Sequence, residues 1–218
     1  MQVTGADRYD PQKLQQLESH VDEQVKNGTY NPEANLALLR HYQFAPERSN
    51  INCIATMLIK AQMQLPSHDF TQLLQLIPER VQDEQPLSAL IALTQHLEGA
   101  RFPDYWQTAD SCKSILGSVP GYYDAIRKYI LYVISVTCQK VTSSLLAESL
   151  RLDEAGVDAL MKEHSNGASA WALSQSKTGQ TIITFPKIEP SSQRSQGNNA
   201  GGFRIDMAQL GALIQAAY

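Results

Sequence analysis

SSLLAESLRLDEAGVDALMKEH, residues 143–164, is the stretch on which the fold turns. Two short helical patterns flank a corner at Arg151-Leu152-Asp153. Asp153 stands where an N-cap belongs, and Leu152 and Val157 occupy the two positions of a hydrophobic staple. The outline is a helix-turn-helix. Its surroundings decide which fold contains it and whether it reads nucleic acid.

Upstream, residues 122–140 predict one long helix through Ile126, Tyr129, Ile130, Val133, Ile134 and Thr137. Downstream, Trp171, Leu173 and TGQTIITF (178–185) predict two short strands around a Ser176–Gly179 turn. Three helices followed by a two-stranded hairpin is the element order of a winged helix.

The first 120 residues predict a succession of helices with short joints. Asp10-Pro11 and Asn31-Pro32 each supply a capping side chain and a first-turn proline. Leu14, Leu17, Val21 and Val25 mark the first helix, which Asn27-Gly28 stops. Leu36, Leu38, Leu39 and Tyr42 mark the second, and Ile51, Ile54, Ala55, Leu58 and Ile59 the third. Phe70, Leu73, Leu74 and Ile77 mark a fourth, which Pro78 should end or kink. A fifth follows through Leu87, Leu90, Ile91 and Leu97, and a sixth through Trp106, Ala109 and Ile115. No strand alternation appears in this half. Joints this short favour antiparallel neighbours, as in helical-repeat proteins.

After the hairpin, EPSSQRSQGNNAGG (189–202) has no strong apolar residue and predicts a flexible linker. FRIDMAQLGALIQAAY (203–218) then predicts a capped amphipathic helix. A helix of about 12 residues is marginal alone in water. Its Ile205, Met207, Leu210, Leu213 and Ile214 would each contribute roughly 1.5–3 kcal/mol if buried, so they form the candidate protein interface, together with Trp171. Four segments are therefore expected: a HEAT-like helical-repeat domain (1–120), a winged-helix domain (121–188), a linker (189–202) and a C-terminal interaction helix (203–218). The expected fold class is mainly α.

Charge argues against a nucleic-acid reader. The chain carries 18 basic and 22 acidic side chains, a net charge of −4, without the basic excess that phosphate contacts demand. The second helix of the motif, residues 153–163, has four carboxylates (Asp153, Glu154, Asp158, Glu163) against Lys162 alone. In a major groove those carboxylates would face phosphates of the same sign. Val157, Leu160 and Met161 read as its buried stripe, and the wing offers only Lys177.

The sequence also lacks a pattern for catalysis. His41, His68, His96 and His164 are isolated, with no H-E-x-x-H, no phosphate-binding glycine loop and no G-x-S-x-G elbow. Asp69, after His68, reads as a first-turn charge favouring the helix dipole. Cys53, Cys112 and Cys138 form no C-x-x-C pair and read as small buried hydrophobes. The acid pairs Glu18/Asp22 and Asp22/Glu23 read as a solvated helix face. The expectation is no catalytic residue, no metal and no cofactor. Hydrophobic content of 43% suits a packed chain. No apolar run approaches the ~18 residues of a membrane span, and MQVTGADRYDPQ has no signal-peptide pattern. A reduced cytoplasmic compartment, with a nuclear pool allowed, is expected.

Helical layers, a winged helix and a tail helix together resemble the layout of the PCI domain. DRYDP (7–11), YNPEANLALLRHYQF (30–44), LPSHDF (65–70), FPDYWQ (102–107), GYYDAIRKYI (121–130), LLAESL (145–150) and TGQTII (178–183) resemble, in order, the K-subunit family of eukaryotic translation initiation factor three. Pro78 and the long 189–202 stretch depart from that family's pattern. The resemblance implies a non-catalytic scaffold subunit. Its partners would be the other subunits of the factor, the L subunit above all. Through the complex it would reach the small ribosomal subunit and support recruitment of initiator tRNA and mRNA. The rival expectations are a PCI subunit of the proteasome lid or COP9 signalosome, and a winged-helix nucleic-acid binder.

Overall fold

The computed structural model describes residues 13–163, 171–175 and 181–186. Eleven α-helices run among them. They are α1 (Leu14–Lys26), α2 (Pro32–Phe44), α3 (Ile51–Gln62), α4 (Asp69–Leu76), α5 (Glu79–Gln82), α6 (Leu87–Glu98), α7 (Phe102–Ser111), α8 (Lys113–Leu116), α9 (Tyr122–Thr137), α10 (Ser143–Leu150) and α11 (Glu154–Glu163). Three strands complete the set: β1 (Lys140–Thr142), β2 (Ala172–Gln175) and β3 (Thr181–Thr184). The chain is mainly helical with one small antiparallel sheet, as a PCI-type fold requires.

Side-chain capping sets several helix starts. Asn31 Oδ1 accepts from the Ala34 amide at 3.2 Å, and Pro32 follows it. Asn50 Oδ1 accepts from the amides of Asn52 and Cys53. These bonds satisfy amides that have no partner within their own helix. Asp10 and Pro11 lie outside the described residues. Gly121 opens α9 at φ +77°, a left-handed conformation that glycine adopts without a Cβ penalty.

Pro78 acts as expected, although the helix it ends is followed by an extra turn. The fourth helix stops at Leu76, Ile77 is extended, and the four-residue α5 begins after Pro78. Gln82 Nε2 then donates to the carbonyls of Leu74 (3.2 Å), which also accepts the Ile77 amide, and of Ile77 (2.7 Å).

One buried cluster extends from Leu17 to Phe185. It includes Leu38, Met57, Leu58, Leu90, Leu93, Ile126, Ile130, Leu146 and Ile183 at 0% exposure. Each such side chain contributes about 1.5–3 kcal/mol relative to exposure. A polar chain crosses this core. Gln62 Nε2 donates to Leu90 O (2.9 Å) and Thr94 Oγ1 (2.7 Å), and Tyr122 Oη donates to Gln62 Oε1 (2.9 Å). Tyr105 Oη in turn donates to Tyr122 Oη at 3.2 Å. Helices α3, α6, α7 and α9 are thereby linked by buried groups whose partners are all present.

Two sequence expectations need correction here. The helix predicted over 122–140 ends at Thr137, whose hydroxyl donates to the Val133 carbonyl at 2.7 Å. Residues 140–142 form a strand instead. Consequently the predicted two-stranded hairpin is a three-stranded sheet in the order β1-β3-β2, with Val141 opposite Ile183 and Leu173 opposite Ile183 on the other side. The Ser176–Gly179 turn lies outside the described residues.

Candidate protein interface

The helix-turn-helix corner has a definite geometry. Thr142 Oγ1 caps the start of α10 through the Leu145 amide (3.3 Å), and Asp153 Oδ1 caps α11 through the Gly156 amide (2.9 Å). Between them Arg151 takes a left-handed backbone, φ +51° and ψ +52°. Its amide bonds Glu148 O (3.2 Å) and the Leu152 amide bonds Ala147 O (3.0 Å). This paired closure usually places glycine at the left-handed position. Here an arginine occupies it, and its side chain explains the choice.

Arg151 reaches along the surface to α7, its side chain staying half-exposed. Its Nη1 donates to Asp110 Oδ1 at 2.7 Å and to Trp106 O at 3.5 Å. Trp106, 5% exposed, sends its indole Nε1 to Ser149 O at 2.8 Å. Arg127 Nε donates to Leu150 O at 3.2 Å. The last carbonyls of α10 are thus bonded by side chains of α7 and α9. Both guanidiniums also stack near the indole, at 5.7 Å for Arg127 and 6.0 Å for Arg151. Hydrogen bonds from Arg151, then from Lys113, hold the Asp110 carboxyl down at about 2.

Among the described residues, the outward side of α11 carries charges of both signs. On α11, Val157 and Met161 are buried at 4% and 8%, whereas Asp158 and Lys162 are exposed. Leu160 was expected in the same buried stripe. It is only half-buried and lines a groove between α9 and α11. The Arg151 cation, which a DNA reader would offer to phosphate, is paired with Asp110. Lys177 of the wing lies outside the described residues.

Among the described residues, neither of the two larger clefts brings a catalytic acid–base pair together. A cleft of about 730 Å³ between α10, α11 and the sheet is lined by hydroxyls, amides and apolar groups with Asp158 as its carboxylate. No histidine, cysteine or lysine lines it among the described residues. The groove between α9 and α11, about 330 Å³, is lined mostly by leucines and small residues. No three His, Cys, Asp or Glu side chains converge as a metal site among the described residues, and none of the helices there is long and apolar enough to cross a membrane.

Each sequence-derived candidate can now be located. Trp171 is half-buried and meets Phe185 edge-on, with ring centroids 5.0 Å apart. Ile205, Met207, Leu210, Leu213 and Ile214 lie outside the described residues. Cys112 is buried and Cys53 half-buried, but Cys138 is exposed, because it follows the last turn of α9. Burial pushes the Cys53 thiol up to about 12, with the carboxylates of Glu18 and Asp22 adding to the shift and the Tyr42 hydroxyl opposing it. Glu18 is likewise not merely solvated. It accepts the Tyr42 hydroxyl at 2.6 Å and joins α1 to α2.

Sequence reading missed the Arg151 clamp and the exposed end of α9, where Tyr132 and Val136 stand 38% and 51% open. The signal for the second was present: α9 carries apolar residues on more of its circumference than one core stripe needs.

With this geometry in view, the family model described as CSN8/PSMD8/EIF3K matches residues 48–193. A protein of Nematostella vectensis is 37% identical over 215 residues, covering 99% of this chain and 94% of its own length. One from Homo sapiens is 38% identical over 148 residues, 68% of each chain. One from Drosophila erecta is 39% identical over 145 residues, 66% of this chain and 65% of its own. All three carry the name eukaryotic translation initiation factor 3 subunit K.

Proposed function

The chain belongs to the CSN8/PSMD8/EIF3K family, and from that premise we propose that it acts as a subunit of eukaryotic translation initiation factor 3, in the place its subunit K relatives hold. Within that complex it is a non-catalytic, cytoplasmic scaffold. It contacts the other subunits, the L subunit foremost. Through them it supports binding of the small ribosomal subunit and recruitment of initiator tRNA and mRNA.

The structural observation that supports the scaffold reading is the bonding of the helix-turn-helix corner to α7 and α9 of the same chain. Its corner arginine and the carbonyls of α10 are spent on Trp106, Asp110 and Arg127 of the chain itself. Such a motif holds a shape and leaves the recognition helix with exposed acid where phosphate would bind. The proteasome lid and the signalosome are less favoured, because the relatives are named as initiation factor subunits and one of them matches nearly the whole chain. The four-segment division at residues 120, 188 and 202 belongs to this reading. So does a role for Trp171 and for the apolar face of 203–218 in binding neighbouring subunits, the latter as part of a bundle of tail helices.

Affinity purification of the tagged chain, with mass spectrometry and ribosome co-sedimentation, tests the proposal. The expected co-purifying set is initiation factor 3. Recovery of the free chain, or of lid or signalosome subunits, refutes it. Deleting residues 203–218 should reduce incorporation, and undiminished incorporation refutes the tail's role.

A further inference from the structure

We propose that the α9–α11 groove and the exposed end of α9 form one continuous strip that receives an amphipathic helix of another polypeptide, with a carboxylate on the flank facing Lys128. This rests on the subunit reading above and gives it a surface.

Two independent observations meet on α9. The first is the groove of about 330 Å³, whose α9 wall includes Lys128 and Leu131 and whose far side includes Leu152 and Leu160. The second is the pair of exposed apolar side chains further along the same helix, Tyr132 and Val136. Positions 128, 132 and 136 are four residues apart, so they share one face and span about 12 Å at 1.5 Å per residue. That length corresponds to about two turns of an opposing helix. Gly156 and Ala159, which also line the groove, have no bulk to hold a partner away. Helices packing through such a seam approach to about 8–10 Å between axes.

Charge selects the partner. At the rim, Asp124 and Arg127 neutralise one another at 3.2 Å, and Arg127 also donates to Leu150 O. Lys128 is exposed and has no ion-pair partner among the described residues. An apolar seam with one uncompensated cation complements an apolar helix stripe flanked by Asp or Glu. It does not suit nucleic acid, which needs a series of cations.

The test uses the full chain in cells. A benzophenone amino acid replaces Tyr132, and the assembled complex is purified and irradiated. The expected product is a crosslink to one segment of another subunit that carries helical apolar periodicity and flanking carboxylates. Val136→Asp and Lys128→Glu should lower recovery of the chain in the complex, on the order of tenfold and fivefold respectively. Far-UV circular dichroism and melting of the isolated variants should match wild type, because both side chains are exposed. A crosslink only within the chain, to a second copy of it or to RNA overturns the inference, as does wild-type recovery of both variants. Failure of the wild-type chain to enter the complex overturns the subunit reading itself.

Discussion

Replacing Trp106 by phenylalanine probes the contact on which the winged helix depends. The indole Nε1 donates to Ser149 O at 2.8 Å inside the protein. Phenylalanine keeps a ring beside both guanidiniums but removes this donor. A buried carbonyl left without its partner costs about 1–3 kcal/mol. The space vacated by the indole's second ring adds roughly 1 kcal/mol, by the scaling of cavity volume. The sum is about 2–4 kcal/mol, and in a structured unit of this size each kcal/mol lowers Tm by roughly 2–4 °C. A fall of about 6–12 °C is therefore expected near the middle of the range. The variant also leaves Trp171 as the remaining tryptophan, since the chain has 2. Trp171 packs on Phe185, just past β3, and so reports on the winged helix alone. Thermal melts followed by circular dichroism at 222 nm and by Trp171 fluorescence should shift together. A Trp171 transition that stays at the wild-type temperature, or a total loss below ~0.5 kcal/mol, refutes the reasoning.

Three further outcomes follow from the same geometry. Arg151→Ala should raise the Asp110 carboxyl from about 2 toward its ordinary 3.8. Because folding depresses this group, its contribution is full above the unfolded value and is lost as pH falls from 3.8 through about 2; carboxyl-carbon NMR titration checks both points. With a thiol-specific dye at pH 8, Cys138 alone should react in the native state, because Cys112 is buried and the Cys53 thiol is held near 12. Prompt labelling of two or three thiols contradicts that burial. Fluorescence anisotropy with duplex DNA near physiological salt should show no binding tighter than ~100 μM, and a steep salt-dependent affinity refutes the acid-faced reading of α11.

How much of this was legible in the sequence depended on how local the signal was. The caps at Asn31 and Asp153 are local, since a side chain bonds an amide three residues on, and both were found. Helices with repeating leucines, such as α6 through Leu87, Leu90 and Leu97, were legible for the same reason. Strand β1 was not. With three residues and one buried position, Val141, it has no alternation to detect, and only its pairing with Ile183 makes it a strand. Glu18 reads as a solvated acid until Tyr42, 24 positions away, is seen to donate to it. The Gln62–Tyr122 bond spans 60 positions and the Trp106–Ser149 bond 43. Contacts of that separation leave no periodic trace in a single sequence.

Arg151 shows how the corner of this helix-turn-helix is used. A helix-turn-helix that reads DNA keeps its cations outward and spends its turn on a residue suited to a left-handed backbone. This chain places an arginine at φ +51° and pairs its half-exposed guanidinium with Asp110 at 2.7 Å. The same residue that would offer charge to phosphate now joins α7 to α10. Glycine would suit the backbone better, yet it would remove the side chain that makes this contact. Arg151→Gly therefore sets the two effects against each other. If the clamp matters more than backbone ease, the variant should melt below wild type, and a melting point above wild type would show that relief of the left-handed backbone outweighs the clamp.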